Sequence, residues 1–142
     1  EVVRYRARIS GPLLDRIDIQ VEMPEVGFAE LSDKSGGETS GEVRARVERA
    51  RQRQRERFRG DGILLNAQMN ARLIKKYCAP DKESEALLAN AFRQLKLSAR
   101  AYQRILKVAR TIADVEGSER VGLSHYAEAV QYRSLDAAGN GA

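Results

Sequence analysis

The sequence predicts a mainly α-helical fold: a helical bundle joined by a linker to a short N-terminal segment that contains strand. Three observations carry this. Residues 17–23 alternate strictly, with Ile17, Ile19 and Val21 on one side and Asp18, Gln20 and Glu22 on the other, the period of a half-buried strand. Residues 32–41 (SDKSGGETSG) are polar and glycine-rich, as a linker is. From Glu42 onward, apolar residues recur at helical spacing between capping and breaking residues.

The elements follow in order. Val2 to Arg8 alternates too, but Tyr5 to Ile9 reads equally as a short helix. Ser10 to Arg16 is a turn leading into a helical start, with Pro12 near its first position. One or two strands do not make a stable sheet, so residues 1–25 are expected to be a remnant of a larger one. Pro24 ends the strand, and 26–41 form the linker. Thr39 and Glu42 have the spacing of a capping box for a helix running to about Phe58, with a narrow apolar stripe of Val43, Val47, Ala50 and Phe58; Gly60 and Gly62 stop it. A shorter helix within Asn66 to Ala79 buries Leu73, Ile74 and Tyr77. Pro80 and Asp81 restart the chain into a third helix with Ala86, Leu87, Ala91 and Leu95 inward.

Ser98 caps a fourth helix that ends at Gly117. Its wide apolar face (Ala101, Tyr102, Ile105, Val108, Ala109, Ile112, Ala113) makes it the central helix. A last helix runs from Ser124 to about Leu135, with Tyr126, Ala127, Val130 and Gln131 near its buried side. Residues 136–142 are a frayed, disordered tail. The helical domain is therefore expected over 42–135.

Composition narrows the function classes. The chain has 142 residues, 42% hydrophobic and 32% charged, which suits one cored domain and no membrane span. Its single cysteine, Cys78, excludes an internal disulfide and reads as a small core filler; a cytoplasmic location is the simplest fit. The lone His125 has no ligand cluster or catalytic partner at a readable spacing. No G-x-x-x-x-G-K-S/T phosphate loop, serine or cysteine triad, or zinc spacing occurs, so the chain alone is expected to be catalytically inactive. The net charge of +5 is compatible with a polyanionic partner such as nucleic acid or ATP.

Arginines are the candidate functional groups. Arg16 sits at a helix–strand junction, where a guanidinium can reach phosphate oxygens bidentately; the alternative is a pair with Asp15 or Asp18 that fixes the turn. Arg100, Arg104 and Lys107 form one cationic stripe on the Ser98–Gly117 helix, beginning at its N-terminus, where free backbone N–H groups also favour anions; the alternative is a solvated face paired with Asp114 and Glu116. The helix from Glu42 carries arginine at nearly every second position from Arg44 to Arg59. That spreads charge around the helix, so a phosphate-tracking surface centred on Arg49 and Arg53 stands beside a solvated helix or one packed on a neighbouring subunit. Apart from Phe58, no aromatics are interleaved to stack bases.

Four blocks carry a family resemblance. Tyr5 to Ile19 (YRARISGPLLDRIDI) resembles the end of the ATPase core in the bacterial ComM/YifB, or magnesium-chelatase-like, family of AAA+ ATPases. Leu65 to Arg72 (LNAQMNAR), Leu97 to Gly117 (LSARAYQRILKVARTIADVEG) and Ala127 to Arg133 (AEAVQYR) resemble its C-terminal domain. The resemblance implies that 1–25 is a remnant of the AAA+ core, that the helical bundle is the lid, and that the full-length parent binds ATP and Mg2+ in a homo-oligomeric ring, a hexamer. Arg16 falls on the family's arginine finger, acting in trans. Arg100 falls on the sensor-two position, with Arg104 one turn on as the fallback. The implied activity is ATP-driven DNA branch migration in natural transformation and recombination. The alternatives are a stand-alone basic helical nucleic-acid-binding module and the ATPase subunit of a metal chelatase.

Overall fold

The computed structural model describes Leu13, residues 16–25 and residues 37–133. Five α-helices are present there: α1 Ser40–Arg57, α2 Ala71–Tyr77, α3 Lys82–Gln94, α4 Ala99–Glu116 and α5 Leu123–Gln131, with a 3-10 turn, Asn66–Gln68, before α2. The mainly helical fold expected from the sequence is the one observed. The first stretch of alternation, most of the linker and the tail lie outside the described residues.

Each helix starts where its sequence provides an acceptor for a free N–H group. At α1, Thr39 Oγ1 accepts from Glu42 N at 3.3 Å while Glu42 Oε2 accepts from Thr39 N at 2.8 Å, the reciprocal capping box. Asn70, Asp81 and Ser98 accept in the same way from Leu73, Ser84 and Ala101 at the heads of α2, α3 and α4. At α5 the task falls to His125, whose Nδ1 accepts from Gly122 N at 2.8 Å. α4 ends on Gly117 at φ 87°, a left-handed position that a Cβ disfavours.

α4 is the centre, as its wide apolar face requires, and α1, α2, α5 and the 3-10 turn pack on it; α3 packs on α5. The core joins Phe58, Leu73, Cys78, Leu88, Ala101, Ile105, Ala109 and Tyr126. Phe58 meets Tyr77 edge-to-face at 5.5 Å. The Tyr126 hydroxyl, fully buried, donates to the carbonyl of Cys78 at 2.9 Å. Cys78 is the core filler the sequence implies.

Four expectations change. Residues 17–23 are not a strand: a strand needs a neighbour's ladder, and here the backbone of Gln20 donates instead to the Tyr132 carbonyl, at 3.0 Å. Among the described residues the apolar side of that stretch is uncovered, with Ile17, Ile19 and Val21 exposed. The second helix, Ala71–Tyr77, lies within its expected span, and it starts at Ala71 because the Gln68 side chain accepts from Leu64 N and Leu65 N and closes a tight turn first. On α3, Leu88 is buried and Ala86 exposed, while Leu87, Ala91 and Leu95 stay on the inward side, so the face shifts by a fraction of a turn. On α1, Val43 and Val47 are exposed, and burial begins at Ala50. α5 starts at Leu123, one residue early, and ends at Gln131, with Leu135 outside the described residues.

Two measurements test this packing. Gly117→Ala is expected to cost about 1–2 kcal/mol in denaturant unfolding, from the left-handed backbone, and more if the Arg53 guanidinium, 2.8 Å from where the new Cβ falls, is held in place. Burial pushes the Cys78 thiol up to about 11 from its ordinary 9.0. The neutral thiol's contribution is therefore complete below pH 9 and is lost as pH rises towards 11, because the unfolded chain ionises first. Stability should decline over that window more steeply in the wild type than in Cys78→Ala; parallel curves would refute the assignment.

Candidate functional site

The apolar face of α4 contains a carboxylate. Asp114 and Arg110 share that face at i and i+4, and both are buried. Arg57, from the last turn of α1, places both guanidinium nitrogens on the Asp114 carboxylate, Nη1 to Oδ2 at 2.9 Å and Nη2 to Oδ1. Arg110 Nη2 lies 3.0 Å from Asp114 Oδ1. Asn66, in the 3-10 turn, donates to Asp114 Oδ2 at 2.8 Å and to Thr111 Oγ1 at 3.0 Å. Two cations against one anion leave excess charge, which carbonyls take up: Arg110 also donates to the Ser118 and Glu119 carbonyls at 2.7 and 2.9 Å. Burial is the main cause that pulls the Arg110 pKa down, with the Asp114 charge opposing it. Arg53 completes the set, donating to the Asp114 carbonyl at 3.0 Å. This network joins α1, the turn and α4 into one body.

The cationic stripe of α4 leaves that body on another side, and its members have different fates. Lys107 Nζ donates to the Ala67 carbonyl at 2.8 Å, and burial pulls its pKa down. Arg104 Nη1 pairs with Asp18 and donates to the carbonyl of Arg16. Arg100, in the first turn of α4, is exposed and has no side-chain partner among the described residues. Neither Asp114 nor Glu116 pairs with the stripe, since Asp114 is taken by Arg57 and Arg110 and Glu116 meets His125 Nε2 at 2.7 Å.

The structure thus brings two of the sequence candidates together. Arg104 joins α4 to the segment that carries Arg16, and Arg100 is one helical turn before Arg104. The Arg16 side chain is exposed, and Asp18, one of its two alternative partners, is engaged by Arg104; Asp15 lies outside the described residues. Arg49 and Arg53 are not a pair on one surface: Arg49 is exposed, whereas Arg53 is half-buried against α4. Arg57 likewise turns inward, and Arg46 pairs with Glu38.

Sequence reasoning missed the Asp114 network. One signal was present, since two opposite charges four residues apart interrupt an otherwise apolar face only where they are paired. Its partners, Arg57 and Asn66, lie 57 and 48 residues away and had no local signature. Among the described residues no group of three or more His, Cys, Asp or Glu side chains is gathered to hold a metal ion, and no helix is long and apolar enough to cross a membrane.

The described residues thus form a mainly helical bundle around α4, with a cationic edge at its N-terminus. The family model for the C-terminal part of magnesium chelatase subunit ChlI matches residues 37–133, and that for magnesium chelatase subunit ChlI matches residues 1–31. The chain belongs to the magnesium-chelatase-like family that includes ComM and YifB. It is 40% identical over 136 residues to competence protein ComM of Haemophilus influenzae, covering 95% of this chain and 26% of that protein. To YifB of Salmonella typhimurium it is 42% identical over 137 residues, covering 96% and 26%. To the protein Mb2921c of Mycobacterium bovis it is 34% identical over 134 residues, covering 94% and 26%. The chain spans about a quarter of the length of these relatives.

The Asp114 network has a direct test. Asp114→Ala leaves the buried Arg110 and the half-buried Arg57 without their shared carboxylate and is expected to cost about 3–5 kcal/mol in urea or thermal unfolding. A loss below about 1 kcal/mol, the scale of an exposed pair, would show that the carboxylate does not hold the bundle.

Proposed function

We propose that this chain is the lid-bearing C-terminal region of a ComM/YifB-type AAA+ ATPase. In this reading the full-length protein couples ATP hydrolysis, with Mg2+, to DNA branch migration in natural transformation and recombination, working as a homo-oligomeric ring, a hexamer. The observation that carries the reading is the Arg104 bridge, which holds the Arg16 segment against the helix headed by Arg100. Arg104 is occupied by that bridge, so Arg100 is the better sensor-two candidate. Two exposed arginines on adjoining elements serve phosphates at a subunit boundary. Arg16 acts as the finger in trans, and Arg100, with the open N–H groups of the first turn of α4, stabilises phosphate charge.

The exposed Ile17, Ile19 and Val21 support the same reading, as the side that meets the ATPase core. Mg2+ and the reacting water belong to residues of that core. In isolation this region binds and positions and does not hydrolyse.

In the full-length protein, Arg16→Ala is expected to lower ATP turnover about a thousandfold or more, as loss of an arginine finger does, while ATP binding by equilibrium titration stays close to wild type. Arg100→Ala should reduce turnover less severely. Wild-type turnover in the Arg16 variant would remove the finger assignment, and wild-type turnover in the Arg100 variant would remove the sensor. The rival reading, a stand-alone nucleic-acid module, predicts tight and strongly salt-dependent binding of this chain to DNA in an anisotropy titration; weak binding is the outcome expected here.

A further inference from the structure

The segment carrying Arg16 is gripped from two sides by arginines of the helical domain. From α4, Arg104 pairs with the Asp18 carboxylate and donates to the Arg16 carbonyl. From the end of α5, Arg133 donates through Nη1 to the Ile17 carbonyl. The Tyr132 carbonyl, next to it, accepts from Gln20 N at 3.0 Å. Three successive residues, Arg16, Ile17 and Asp18, are therefore held by two guanidinium groups, and a fourth contact at Gln20 fixes the direction of the chain. Arg133 is nearly fully buried, at 1% exposure, so its head is set by the bundle and not by solvent. Asp18 is well exposed, so its carboxylate is available to be changed without opening the core.

We propose that Asp18, Arg104 and Arg133 are positioning residues that form a clasp, by which the lid sets where the Arg16 guanidinium points. This rests on the reading of Arg16 as a finger. A long side chain on a segment without strand pairing has many orientations, and the clasp removes backbone freedom from the residue itself and the two that follow. The contacts to the Arg16 and Ile17 carbonyls are to backbone, so they act whatever the side chain at 16 does. In this arrangement a movement of α4 or α5 is carried to the finger through rigid guanidinium contacts, which links the state of the lid to catalysis at the boundary.

The test combines amide exchange on this chain with turnover of the full-length protein. In the wild-type chain the Gln20 amide is expected to be protected, and Asp18→Ala should speed its exchange while the amides of α4 stay protected. In the full-length protein Asp18→Ala should lower kcat about tenfold or more, as misplacing a catalytic group does, with ATP affinity unchanged. The charge-reversed pair Asp18→Arg with Arg104→Asp restores the ion pair but not the donor to the Arg16 carbonyl, so it should recover part of the loss, and a sensor role for Arg104 would allow none. Arg133→Lys keeps a donor and should be milder than Arg133→Ala; should the latter not fold, the surface Asp18 variants carry the test. An unprotected Gln20 amide in the wild type, or unchanged kcat in Asp18→Ala beside a crippled Arg16→Ala, overturns the clasp. If Arg16→Ala itself turns over normally, the finger reading falls and the positioning role falls with it, even where exchange shows the segment docked.

Discussion

A carboxylate with no exposed surface, Asp114, sits between α1 and α4, and the placement of the two helices follows from the need to neutralise it. Removing Asp114 from water carries a desolvation penalty of several kcal/mol, recovered only when its oxygens are met by donors of good geometry. Here Arg57, Arg110 and Asn66 supply them. Arg110 sits one turn before Asp114 on α4, but Arg57 comes from the last turn of α1 and Asn66 from the turn that follows it. The network therefore sets the crossing of two helices and the exit of the chain towards α2. An apolar contact of the same size would hold them together without choosing one register.

The rest of the basic character of the chain is ordered around that choice. α1 is rich in arginine on every side, and only its C-terminal half is committed to the domain, through Ala50, Arg53, Gln54, Arg57 and Phe58. Its N-terminal half presents Val43 and Val47 to the outside. At the other edge of α4, the three cations of one stripe divide between an internal carbonyl, the clasped segment and open surface. Identical residue types at helical spacing thus acquire a structural, a linking and an exposed role, depending on what the fold puts opposite each one.

Much of the fold was legible locally. The capping box at Thr39 and Glu42, the cap at Ser98 and the stop at Gly117 are each satisfied within three or four residues, so the sequence pattern and the structure agree closely there. The central position of α4 followed from the width of its apolar face. The strand expected at 17–23 did not form, because alternation states only that two faces differ, and a strand also requires a partner's hydrogen bonds. The candidate site divides the same way. The exposure of Arg100 agrees with its place at the head of a helix, whereas the occupation of Arg104 by Asp18, 86 residues away, has no local trace.

The sequence by itself determined the helices, the caps at Thr39 and Ser98, the central helix among them and the family to which the chain belongs, because these depend on spacing within a turn or two and on contiguous blocks of residues. Only the tertiary structure decided which arginines work inside and which face outward. That choice rests on long-range electrostatics: a guanidinium goes inward where a buried carboxylate or carbonyl awaits it. Asp114 for Arg57, and the Arg16 carbonyl with Asp18 for Arg104, come into place only once the helices have packed.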